Sequence, residues 1–185
     1  MRSSMTSDQA RQSRRAVLQA AVDAGAACAR PDAPEPDAWF REDNEQQITW
    51  QARRTALIRF CKGCPLMAAC QELALRNGDG NDRVDDLVRG GKSGQELAAN
   101  RERQAVRIEA AITTDRAGDQ EWNQLVTLSV RLQREAVKNP DKGGGGLRRQ
   151  GAAQAAQNTQ VRELTAQVNE IRTARRARTG WGEAA

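Results

Sequence analysis

Apolar residues recur at intervals of three and four along most of this chain, between stretches broken by proline and glycine, and that pattern predicts helices with little strand. Residues 7–27 read as a first helix, with Ser7 placed to cap it and Ala16, Val17, Ala20, Ala21 and Ala24 as an apolar stripe. Gly25 ends it, and Cys28 follows. Pro31, Pro34 and Pro36 enforce an extended loop with Trp39 and Phe40 at its end. Residues 45 to about 60 form the next helix, which carries Trp50, Leu57 and Cys61 on one face and breaks at Gly63. Pro65 suits the first position of a further helix. That helix runs to Arg76, stops at Asn77-Gly78, and presents Leu66, Ala69, Cys70, Leu73 and Ala74 on a shared face.

Residues 79–86 read as loop, and Leu87-Val88-Arg89-Gly90-Gly91 as a turn closed by paired glycines. Ser93 and Glu96 match a capping box that opens a helix to about Ile112. Gly118 and Asp119 restart a helix bearing Trp122, Leu125, Ser129, Leu132 and Ala136. Pro140 and the glycine run 143–146 form a flexible break. A last helix, about 150–178, repeats Val161, Leu164, Val168 and Ile171 over two heptads, too few for a coiled coil, so it should dock on a neighbour. The expected organisation is all-α, with a compact region at 1–112 (core about 15–105), a helical extension at 113–142, and a linker with a basic helix at 143–185.

Composition limits the core. Hydrophobic residues make up 38% of the 185 positions, aromatics 3%, and tyrosine is absent, so a large core along the whole chain is excluded. The net charge of +5 is concentrated: beyond residue 142 there are seven arginines against three glutamates. A basic tail on a nearly neutral body suits a polyanion, nucleic acid first, or serves solubility. Arg172, Arg175, Arg176 and Arg178 are the candidate phosphate contacts. No apolar run approaches the roughly 20 residues that span a bilayer, and the first residues are polar, so a cytoplasmic protein without a membrane partner is expected.

A reducing compartment disfavours disulfides and points the four cysteines towards metal or redox chemistry. Cys61, Cys64 and Cys70 are spaced C-x2-C-x5-C, and Cys28 lies upstream. Histidine is absent, which removes mixed cysteine–histidine zinc sites and cysteine–histidine nucleophile pairs. An all-thiolate zinc scaffold, an iron–sulfur cluster and a Cys61-x-x-Cys64 disulfide reductase remain. The three-plus-one arrangement favours the cluster over zinc, which usually takes two close pairs, and helices around Cys61 do not suit a thioredoxin-like motif.

With these motifs in order, residues 15 to 105 resemble the WhiB-like family of iron–sulfur transcription factors. Cys28, Cys61, Cys64 and Cys70 match its four ligands, Trp39-Phe40 its aromatic pair, and the turn at 87–91 its glycine-rich turn, with Ser93 and Glu96 continuing the pattern. The resemblance implies a small helical fold around a [4Fe–4S] cluster and a redox-responsive regulator, not an enzyme. It further implies docking on the C-terminal domain of the primary sigma factor near promoter DNA, through Trp39, Phe40, Val88, Arg89, Gly90 and Gly91. One departure stands out: the family turn carries a tryptophan where this chain has Arg89, so the contact is weaker, or Trp39, Phe40 and Trp50 carry more of it, or the partner differs. The residues beyond 112 have no counterpart in the family pattern, and oligomeric state is not legible.

Overall fold

The computed structural model describes residues 4–80, 84–138 and 147–179. Its helices are α1 (Ser7–Gln12), α2 (Arg15–Gly25), α3 (Gln47–Lys62), α4 (Met67–Asn77), α5 (Gly94–Arg103), α6 (Ala105–Ala136) and α7 (Leu147–Thr179). Short 3-10 turns occupy Ala27–Ala29 and Pro36–Trp39. The strands β1 (Val88–Arg89) and β2 (Lys92–Ser93) pair antiparallel as a hairpin. The expected all-α architecture holds, with this hairpin as the addition. The chain divides into two compact units, Met1–Asp115 and Arg116–Ala185. Among the described residues no helix is long and apolar enough to cross a membrane.

In the first unit, α4 is the central helix. Its residues Ala69 and Leu73, with Leu66 just before it, pack with Ala10 of α1 and Leu18 of α2. Ala74 and Leu75 meet Leu97 of α5 and Ile108 of α6. A separate cluster joins Trp50 and Leu57 of α3 to Val88 of β1, with Trp39 and Cys61 against it. Each such leucine, buried, stabilises the fold by about 2 kcal/mol relative to exposure.

A polar network crosses the first of these clusters. Glu72 accepts from Arg76 Nε at 2.8 Å and from both Arg107 Nη atoms at 2.8 and 3.0 Å. Arg76 also donates to Asp115 and to the carbonyls of Ser13 and Arg11, each at 3.0 Å. Arg76 therefore ties together α1, α4 and α6 from a position 8% exposed.

Several expectations are corrected. The first helix is two, interrupted at Ser13–Arg14, where the Ser13 carbonyl turns to Arg76. Thr6, not Ser7, caps α1, in a capping box with Gln9. The buried face of α2 is Leu18 with Ala21 and Val22, while Val17 is exposed. Helix α4 begins at Met67, because Pro65 and Leu66 form the preceding turn and the Pro65 carbonyl accepts from Met5 N–H at 3.1 Å. The helix opened by Ser93 breaks at Gln104, and α6 then runs without interruption through Gly118. A lone glycine costs a helix about 1 kcal/mol but supplies no terminator. The stop at Gly78, with φ +87°, and the Ser93–Glu96 capping box are as expected. Pro140 and the glycine run 143–146 lie outside the described residues, as do positions 81–83 of the expected loop.

In the second unit α7 lies antiparallel along residues 116–136 of α6. Gln157 donates to the Glu135 and Lys138 carbonyls at 2.6 and 2.8 Å, and Arg178 pairs with Glu121. Leu125, Leu164 and Val168 are buried there, and Val161 and Ile171 half-buried, so the predicted stripe of α7 is its packing face.

Candidate metal centre

The cysteines are delivered by four different pieces of backbone. Cys61 ends α3, and Gly63 caps that helix through its N–H to the Phe60 carbonyl at 3.2 Å. Cys64 follows in the turn and donates its N–H to the Cys61 carbonyl at 2.9 Å. Cys70 sits in the first turns of α4, its N–H on the Leu66 carbonyl at 3.0 Å. Cys28 arrives in the 3-10 turn after α2. All are free thiols; Cys28 is exposed and the other three half-buried.

A backbone donor faces one of the sulfurs. Ala27 N–H donates to Cys64 Sγ at 3.4 Å. The Gly91 backbone favours the thiolate of Cys61, and the Gly90 backbone that of Cys70. The hairpin reaches them because Gly90 and Gly91 hold φ of +55° and +73°. A Cβ on Gly90 would lie 2.5 Å from the Gln71 backbone, and one on Gly91 3.0 Å from Met67 Sδ and 3.6 Å from Cys61 Cβ. Glycine is required here for conformation and for close approach alike.

Burial pushes the Cys61 thiol up to about 11, with the Gly91 backbone opposing it and the neighbouring Cys70, Cys28 and Cys64 adding to it. Cys70 is likewise raised by burial, against the pull of the Gly90 backbone and the Arg89 charge. Burial thus favours the protonated form of Cys61 and Cys70, and the nearby sulfurs add to the effect. Among the described residues no three histidine, cysteine or carboxylate side chains close around one point as ligands of a single ion do. Thiolates on one tetrahedral zinc stand roughly 3.8 Å apart, given Zn–S bonds of about 2.3 Å. A cluster with one thiolate per iron spreads them further and draws stability from N–H groups on its sulfurs. The soft donor set, with Ala27 N–H on the Cys64 sulfur, fits the cluster.

The expected partner residues fall into two environments. Phe40 is 53% exposed and bridges Leu87, which joins the aromatic pair to the hairpin. Trp39 is half-buried, edge-on to Phe60 at 5.9 Å between ring centroids. Val88 and Gly90 are buried, Gly91 half-buried, and Arg89 exposed. Trp50 is fully buried beneath Arg53 and offers no surface to a partner, so of the three alternatives for Arg89 the one that gives Trp50 a larger share of the contact is not met for that residue. In the second unit, Arg175 lies over Trp122 at 5.3 Å, Arg178 is paired with Glu121, and Arg172 and Arg176 are exposed.

Sequence reasoning missed the Ala27 N–H donor to Cys64 and the Asp79 partner of Arg89. Nothing in the spacing announces Ala27 or Asp79, which the tertiary fold brings into place.

A family model described as "Transcription factor WhiB" matches residues 23–105. No curated protein and no solved structure matches the chain. The matched segment contains all four cysteines, the aromatic pair and the glycine hairpin, and it is this segment that is similar to the WhiB family of transcription factors.

Proposed function

We propose that this chain is a redox-responsive transcription regulator in which Cys28, Cys61, Cys64 and Cys70 hold a [4Fe–4S] cluster. The observation that carries the reading is the placement of four soft donors at the α3–α4 junction and in the turn after α2, with Ala27 N–H, next to Cys28, donating to Cys64 Sγ. Bound there, such a cluster supplies an oxidant-sensitive centre. Cys28 ties α2 to the α3–α4 turn, so the ligand set and the packing of α2 on α4 form one equilibrium. Losing that tie loosens the surface around Trp39 and Phe40, through which we propose docking on the C-terminal domain of the primary sigma factor. Arg172, Arg175, Arg176 and Arg178 are proposed to contact promoter phosphates without reading bases. The setting of Cys61 and Cys64, between two helices, does not support a thioredoxin-like reductase.

Anaerobic purification tests the metal centre. A brown protein with broad visible absorption and about four irons per chain is expected, and Cys61→Ser should lose both. A colourless protein with one zinc, or full iron content in the variant, would overturn the reading.

A further inference from the structure

Arg89 occupies an unusual place on the hairpin. Alternation along β1 turns Val88 into the Trp50–Leu57 cluster and Arg89 away from it. The guanidinium is pinned by Nη1 to Asp79 Oδ2 at 2.5 Å. Asp79 is itself fixed just past the end of α4, its N–H on the Ala74 carbonyl at 3.0 Å and its carbonyl accepting from Arg101. The next residue after Arg89, Gly90, lies against the backbone of Gln71, the neighbour of Cys70, where a Cβ would come within 2.5 Å, and a Cβ on Gly91 would stand 3.6 Å from Cys61 Cβ. A charge carried by this hairpin is therefore held in a defined place beside the cysteines. Burial works against that charge; Asp79, and then the thiols of Cys70 and Cys28, outweigh it and hold the guanidinium above its ordinary value.

We propose that Arg89 is the counter-charge of the cysteine-bound cluster and sets its reduction potential, with Asp79 attenuating the effect. This rests on the metal-centre reading above. Four thiolates give the bound cluster a net negative charge, and reduction by one electron deepens it. A fixed positive charge stabilises the reduced state more than the oxidised one and so raises the potential. A fixed carboxylate does the reverse. As a surface ion pair alone, Arg89–Asp79 would contribute little and would give no such signed response.

The full-length chain, purified anaerobically, allows the test by spectroelectrochemical titration of the visible absorption, with iron counted per chain. Arg89→Gln should lower the midpoint potential, Asp79→Asn should raise it, and Arg89→Lys should restore it towards the parent value. Should Arg89→Gln fail to retain iron, the sign of the Asp79→Asn shift decides. Shifts of the same sign in Arg89→Gln and Asp79→Asn, or none with iron content intact, would overturn the proposal while leaving the metal centre standing. A parent chain without iron would instead overturn the metal centre.

Discussion

Gly90 shows how much one missing side chain does here. Its φ of +55° lies in the left-handed region, and a Cβ would drive into the Gln71 backbone. Gly90→Ala should therefore destabilise the protein by about 3 kcal/mol, as strain at one backbone position costs of order 1–3 kcal/mol before any clash is added. It should also push the hairpin away from Gln71 and so disturb the neighbouring Cys70. A lower urea midpoint together with reduced iron content checks both effects, and an unchanged midpoint would contradict the geometry. The cysteines and the paired glycines were legible in the sequence because their chemistry is local: a thiol is a soft ligand wherever it stands, and adjacent glycines mark a backbone that other residues avoid. The use of Arg89 was not legible, since its partner Asp79 belongs to the exit of another helix.

Among the elements, α4 carries the heaviest demands. It contributes Cys70 to one side, Leu73 to the core, and the Glu72–Arg76 pair to the junction with α1 and α6. Both charged side chains are almost fully enclosed, with Arg76 2% and Glu72 4% exposed. Glu72→Ala leaves the Arg76 charge with Asp115 and two carbonyls but without its nearest carboxylate. A loss of about 3 kcal/mol is expected, at the lower end for a broken buried pair, readable as a fall in the chemical unfolding midpoint. The sequence announced the end of α4 and the start of α5, where Gly78 and the Ser93–Glu96 box act on their own neighbours. It did not announce the break at Ser13, which depends on an arginine over sixty positions away, nor the continuity of α6 past Gly118. The buried stripe of α2 was misread because alanines mark either face of a helix, whereas Leu18 alone fills the space beside α4.

At the scale of the whole molecule, the family match ends at residue 105, and the second unit, Arg116–Ala185, lies beyond it. The charge asymmetry of the tail is real, yet its arginines are put to different uses. Arg175 and Arg178 hold Trp122 and Glu121, and Arg172 is exposed on α7. Replacing Arg172 by alanine should weaken DNA binding and flatten its dependence on salt, by about 0.9 in the logarithmic slope for each phosphate no longer neutralised. An unchanged slope would reserve this arginine for solubility. Fold class was readable from helical periodicity across both units, but the hairpin was not readable as strand because it pairs only two residues on each side.

The placement of Cys28 has a consequence for how the protein is made. Cys61, Cys64 and Cys70 lie within one helix–turn–helix and meet as soon as that local segment forms, whereas Cys28 must return across the proline loop and the whole of α3. The cost of closing a loop rises only with the logarithm of its length, but it comes before any contact repays it. If the four thiols hold a cluster as proposed, its assembly is expected to be ordered: the local trio binds early, the exposed distant thiol joins last, and in the reverse direction it is the first to leave.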